Sequence, residues 1–316
     1  MVSFSNVFSG GWRDFTTNPV FIIPGILFSM VGTLFGFALL WSLFGDIGTV
    51  ASLFLGTVDP FFFESIDFEA LNLSLFGLTF LVGLVLTLIC YSFIYAGLTG
   101  MAKEAALTGS TKLGDFFSYG VQYLLRVVCY MILLTAIFAI PTAAIFAAFA
   151  VLFLAAIAAG PAGIAIGMIL GLLLLLVLIV VFIVLYLMTY FGTYAIVIDD
   201  MGVIDGLKTS YYLFMDNKAN VFIFLLLIFA ISIGIGFITF IISVILGFIP
   251  IAGPITALLI ETIIYGILYA LMFAWGVRMY YELTKEAEES VHDEYSEYAS
   301  IEQGILENQP SSISKL

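Results

Sequence analysis

The sequence predicts an all-α protein, a polytopic transmembrane helical bundle of six spans, built as three repeats of an interfacial helix followed by a transmembrane hairpin. Three observations predict it. Of 316 residues, 63% are hydrophobic and only 10% charged, with a mean hydropathy of +1.21; a soluble domain carries about 25% charged residues to cover its solvated surface. Uncharged runs recur at the length of about 20 residues that a hydrocarbon core of about 30 Å demands. Every Lys and Arg, finally, falls on one side of a six-span scheme.

The elements follow in order. Phe4, Val7, Phe8, Trp12 and Phe15 recur at helical spacing, which predicts a short amphipathic helix lying in the membrane interface before the first span. Spans one and two are placed at residues 20–44 and 75–97, joined by the outer loop Gly45 to Ser74. A second amphipathic segment carries Leu113, Phe116, Phe117, Val121 and Leu124. A charge-free run of about 72 residues then extends from Val127 to Ile198. Gly160, Pro161 and Gly163 are its central turn signal, whereas Pro141 comes too soon after Val127 to close a span. The run therefore divides into two long spans, 124–158 and 162–197, which must tilt, kink at Pro141 or project beyond the bilayer. Val203, Leu207, Tyr211 and Phe214 form the third amphipathic stripe, ahead of spans 221–246 and 255–279. Residues 1–281 thus form the membrane domain and 282–316 an acidic tail, whose part Glu282 to Tyr298 is expected to prolong the last helix.

Arg13, Lys103, Lys112, Arg126, Lys208, Lys218, Arg278, Lys285 and Lys315 all fall on the side of the N-terminus, and a seventh span would scatter them. The positive-inside rule then makes both termini cytoplasmic in the cell (plasma) membrane. Trp12, Trp275, Tyr280, Tyr281 and Trp41 are expected at the aromatic belts. A net charge of -13 excludes nucleic acid as a partner. Cys90 and Cys129 are expected to be free, buried thiols. Gly32, Gly36, Gly167 and Gly171 stand at a small-xxx-small spacing that lets helices approach closely.

The stretch from Tyr194 to Phe222, with Asp199, Asp200, Gly202, Gly206, Lys208, Ser210 and Tyr211, resembles a signature of uncharacterised six-span membrane proteins of archaea and bacteria. That group is related to the membrane domain attached to some glycerophosphoryl diester phosphodiesterases, and the segment Gly100 to Phe117 is similar to its second inner loop. Gly206 departs from the Ala common there. The resemblance implies six spans and names no activity, because the phosphodiesterase chemistry belongs to a separate soluble domain.

Few residues could carry chemistry. The single histidine, His292, sits in the acidic tail, where a solvated segment explains it better than a metal site. Acidic residues Asp46, Asp59, Glu64, Asp67 and Glu69 alternate with phenylalanines in the outer loop, as in an amphipathic surface segment. Asp199 and Asp200 are expected to cap the third interfacial helix. Glu261 is the only ionisable carboxylate inside a span, and Thr256, Thr262 and Tyr265 on the same helix are its expected hydrogen-bond partners. No cofactor and no catalytic constellation is read.

The expected function is a non-enzymatic scaffold, assembly or lipid-interacting module. Its expected partners are membrane lipids and a protein held by the interfacial helices or the acidic tail. The alternative is a small permease coupled through Glu261, and a membrane enzyme acting on lipids is a distant third. A polar cavity reaching Glu261 favours transport; a closed, dry bundle favours the scaffold.

Overall fold

The structure, a computed structural model, describes residues 2–45, 72–249 and 252–307, with side chains at all of these except 161, 254 and 286–307. The outer-loop acids and phenylalanines, His292 and Lys315 lie outside the described residues or side chains. Helix α1 (Phe4–Thr17) leads through a short 3-10 turn (Pro19–Phe21) into α2 (Ile22–Phe44). Next come α3 (Leu73–Thr108), α4 (Leu113–Ala158), α5 (Gly160–Thr189) and the short α6 (Gly192–Ile198). Helices α7 (Val203–Asp216), α8 (Lys218–Gly247) and α9 (Ala252–Glu307) complete the chain.

Six helical stretches are long and apolar enough to cross a membrane: Pro19–Phe44, Leu73–Thr108, Leu113–Ala158, Ala162–Ile198, Lys218–Gly247 and Ile255–Lys285. Each contains one of the six stretches read from the sequence, the second and third extending well beyond 75–97 and 124–158, and the turn at Ala159 falls beside Gly160 and Pro161. The helices begin at side-chain caps. Ser3 accepts the Asn6 N–H at 3.4 Å, Asn72 accepts the Leu75 N–H at 3.0 Å, and Asp115 accepts the Lys112 N–H at 2.8 Å.

Three elements differ from expectation. The second amphipathic segment is no separate helix: it is the opening of α4, which runs unbroken for 46 residues through Pro141 and is about 69 Å long. Span four is interrupted at Tyr190 and Phe191, between α5 and α6. The last helix continues to Glu307, beyond the expected Tyr298. The order of short helix and long helical pair is thus retained in the first and third units and modified in the second.

Span six is the hub. It packs on α1, α2, α3 and α8, while α3, α4 and α5 follow α2 around the bundle. Its contact with α2 is backbone to backbone: a Cβ on Gly25 would lie 2.1 Å from the Gly266 carbonyl oxygen. In lipid no hydrophobic force drives helices together, so such close approach carries their association. Of the predicted small-residue positions, Gly167 and Gly171 meet Ala156 and Phe149 on α4, and Gly32 meets the Tyr91 hydroxyl.

Side chains on the halves of the long helices remote from the basic residues, such as Leu34, Leu81, Phe153, Leu172 and Phe240, are exposed. The buried core gathers at the other pole, where Val7, Phe21, Leu98, Phe116, Phe191, Phe224, Met279 and Leu283 lie within one cluster. Trp275 and Tyr280 belong to that core, 6% and 1% exposed, whereas Trp12 is 55% exposed. Cys90 and Cys129 are free, as expected, but exposed on the helix surfaces rather than buried.

Candidate functional site

The interruption of span four is held by a polar clasp. Breaking a helix frees backbone groups, and in a dry interior each must find a partner. Ser210 of α7 supplies two: its hydroxyl donates to the Met188 carbonyl at 2.8 Å and accepts the Phe191 N–H at 3.0 Å. Tyr130 of α4 donates to the Thr189 carbonyl at 2.6 Å. Helix α7 reaches the break because Gly206 lies against α6, where an added Cβ would come within 3.1 Å of the Gly192 carbonyl oxygen and 2.8 Å of Ile196.

Beside the break lies a cavity of about 180 Å³. Six tyrosines from four of the spans converge on it: Tyr95, Tyr130, Tyr186, Tyr190, Tyr194 and Tyr269, with Phe28 and Phe273. Apart from Tyr130, their rings form a connected set, with centroids 5.6 Å apart for Tyr190 and Tyr194, 5.0 Å for Tyr95 and Phe273, and 4.5 Å for Phe28 and Tyr269. No charged side chain lines this cavity.

A second, more polar cleft of about 300 Å³ adjoins it and contains Glu261, Thr262, Tyr265, Tyr91, Ser29 and Thr33. Phe28 and Tyr269 are walls of both spaces. Glu261 is half-buried and accepts a hydrogen bond from Ser243 of α8. The expected partners on its own helix do otherwise. Thr256 donates to the Ala252 carbonyl and Thr262 to the Leu258 carbonyl, both at 2.8 Å, while the Tyr265 hydroxyl lies 3.4 Å from that of Thr239. A Thr in mid-helix satisfies itself on the preceding turn, so the carboxyl finds its donor across the helix interface. Glu261, Tyr265, Tyr269 and Phe273 recur every four residues and form one stripe of α9, running from the carboxylate into the tyrosine cavity.

Charges cluster at the opposite pole. Asp14, 3% exposed, forms a two-point pair with Arg278 at 2.7 and 2.9 Å, and Arg278 also donates to the Ala106 carbonyl at 3.3 Å. Trp275 Nε1 donates to the Phe8 carbonyl at 3.2 Å, so α1 is fastened to span six at two points. Asn18 accepts the Thr111 N–H at 2.9 Å and donates to the Gly109 carbonyl at 3.3 Å, joining α1 to the α3–α4 turn.

Asp199 and Asp200 do not cap α7. Its N-cap is Gly202, with no side-chain hydrogen bond. Asp199 accepts the Tyr280 hydroxyl, and Asp200 pairs with Arg126 at 2.6 Å. The Arg126 hydrogen bond, assisted by one from Tyr123, holds the Asp200 carboxyl below its usual value. Lys103 donates to the Ile198 carbonyl at 2.7 Å, supplying a cation to the C-terminal end of α6. The motif thus splits: Gly206, Ser210, Asp199 and Asp200 make tertiary contacts, whereas Lys208 and Tyr211 are exposed. Lys208 lies 3.9 Å from Asp205, an exposed pair that contributes little.

A domain family model, described as a domain of unknown function (DUF7847), matches residues 3–283. The chain belongs to the DUF7847 family. No curated protein and no solved structure matches it. In this DUF7847 chain the matched region contains all the residues of the clasp, the cavity, the Glu261 cleft and the Asp14–Arg278 pair, and it stops before the acidic continuation of α9.

Sequence reasoning located Glu261, Tyr265 and Ser210 in this DUF7847 domain but missed the tyrosine cavity and Ser243. A signal for the cavity was present: Tyr91 and Tyr95, Tyr186, Tyr190 and Tyr194, and Tyr265 and Tyr269 all repeat at four-residue spacing. Polar aromatics on one helical stripe of an otherwise aliphatic span mark the face turned inward.

Proposed function

We propose that this DUF7847 protein is a small non-enzymatic permease of the cell membrane, with both termini in the cytoplasm. The cytoplasmic assignment is supported by the basic residues gathered at the clasp pole. One observation carries the transport reading: the Glu261 cleft and the tyrosine cavity adjoin through Phe28 and Tyr269, next to an interrupted span. Interrupted helices beside midplane sites are a recurrent device of transporters, because they let the wall of a binding site move without breaking a whole span. The intramembrane carboxylate supplies a group able to couple solute to proton or cation.

Reconstitution into proteoliposomes tests this. Solid-supported-membrane recordings under a proton gradient, across a panel of small solutes, should give a current that the Glu261→Gln protein lacks. A folded, reconstituted protein that yields no solute-dependent current or uptake overturns it.

The scaffold and lipid-interacting reading keeps one specific support. The outer part of the α4–α5 hairpin holds an apolar groove of about 530 Å³ lined by Phe149, Ala156, Gly167, Gly171 and Leu172, suited to acyl chains of the surrounding lipid. Exposed Trp12 on α1 and Ile204 and Tyr212 on α7 fit helices resting in the inner interface, where a protein partner could also dock. The kinship with the phosphodiesterase-attached membrane domain belongs to this same proposal and is supported by the Tyr194 to Phe222 stretch alone.

A further inference from the structure

We infer that the tyrosine cavity binds a small organic ammonium ion. This deepens the permease reading, and rests on it for treating the cavity as the place where a solute is held.

The walls decide the ligand's charge. Aromatic faces carry negative electrostatic potential and attract ammonium groups, most strongly where water is excluded. Tyr95, Tyr186, Tyr190, Tyr194, Tyr269 and Phe273 surround one space, and their ring centroids lie 4.5 to 5.6 Å from their nearest ring neighbours. The hydroxyls of Tyr95, Tyr186 and Tyr269 make no hydrogen bond to other protein groups among the described residues, so their oxygens are available as acceptors. The only acidic or basic side chain of the adjoining cleft is Glu261, a carboxyl group able to meet a cation. No Lys or Arg lines either space, and three of the protein's cations are committed elsewhere: Arg278 to Asp14, Arg126 to Asp200 and Lys103 to the Ile198 carbonyl. An anion would face ring π-electrons and a carboxylate with no base to meet it. A cation would face both as partners.

The volume decides the size. An engineered apolar cavity of about 150 Å³ holds benzene, so about 180 Å³ accepts an ion of roughly six heavy atoms. A methylated or primary alkylammonium fits; a phospholipid headgroup with its glycerol does not. The occupant is therefore a free solute.

Purified protein in phosphatidylglycerol nanodiscs, titrated with tetramethylammonium chloride by calorimetry, tests the assignment. Saturable binding is expected, with tert-butanol, a neutral molecule of similar shape, at least tenfold weaker. Tyr269→Leu should weaken tetramethylammonium about tenfold and Tyr269→Phe less than threefold, because the ring supplies the attraction. Tyr95→Leu and Tyr95→Phe form an independent pair should either Tyr269 variant fail to fold. Equal binding of tert-butanol, or no binding of the ion by folded wild-type protein, overturns the cation site while leaving transport of another solute testable by the recordings above. Loss of tetramethylammonium binding when phosphatidylcholine replaces phosphatidylglycerol gives the site to a lipid headgroup and overturns the free solute. Tetramethylammonium that binds but never drives a current leaves the site standing and removes the permease.

Discussion

Arg278 on the last span and Asp14 on the first helix meet through two parallel hydrogen bonds, at 2.7 and 2.9 Å, although 264 residues separate them. The carboxylate is buried and the guanidinium mostly so. Removing one partner leaves the other charge dry and unpaired, which costs about 3 kcal/mol or more. Asp14→Ala and Arg278→Ala should each lower the thermal unfolding midpoint in detergent markedly. The double variant should lose less than the sum. Additive losses would show that the pair is not coupled.

Ser210 serves two backbone groups of the span-four break at once, Met188 and Phe191. Ser210→Ala keeps the volume close and strands both, at about 1–3 kcal/mol. The measurable consequence is local: amide exchange at Phe191 and Gly192 should accelerate well before global unfolding does. Unchanged exchange at these two amides would reject the clasp.

These two sites show what sequence alone could reach. Span positions, the turn at Ala159 and the pole holding the basic residues follow from charge exclusion and turn chemistry, which act locally along the chain. Glu261 was conspicuous because a lone carboxylate in an apolar helix is costly. Its partner Ser243 was not, since a serine in a span is ordinary. The tyrosine cavity was hidden for a related reason. In lipid both faces of a helix are apolar, so hydrophobic periodicity no longer tells interior from exterior, and only the spacing of polar aromatics does. Ser210 was singled out through a resemblance that carried no role, and the break it clasps comes from tertiary contacts made by α7.

The Gly25 and Gly266 contact predicts opposite outcomes for two similar substitutions. An Ala at Gly25 places its methyl 2.1 Å from a backbone oxygen, so α2 and α9 must separate. Over-packing of this kind costs about 1–3 kcal/mol. Gly77 in α3 has no neighbour within 4 Å of an added methyl, and Gly77→Ala should be neutral or stabilising by up to about 1 kcal/mol through helix propensity. Unfolding midpoints of the two variants in one detergent check the contrast.

Asp200 is held below its usual carboxyl value chiefly by Arg126. A depressed folded value means that the carboxylate's contribution is present above the unfolded value and is lost as pH falls through the folded one. A site-resolved carboxyl titration should therefore show Asp200 ionised below the ordinary midpoint of 3.8, and Arg126→Gln should move that midpoint upward. An unmoved midpoint would assign the effect to another group.

The Ser243 hydroxyl donates to Glu261 across the interface of α8 and α9, so it acts on the one carboxylate that the permease reading needs. A side-chain hydrogen bond contributes about 0.5–1.5 kcal/mol, and that should appear as lost stability in Ser243→Ala. Stability alone does not separate a structural bond from one that sets the carboxyl's state. Difference infrared spectroscopy does. The carboxyl band of Glu261, identified by its disappearance in Glu261→Gln, should move to higher wavenumber in Ser243→Ala, because a donor to its oxygen has been removed. Proteoliposome currents should change in size in Ser243→Ala and vanish in Glu261→Gln. A moved band with an unchanged current profile would make Glu261 a structural acid, and the solute path would then have to couple without it.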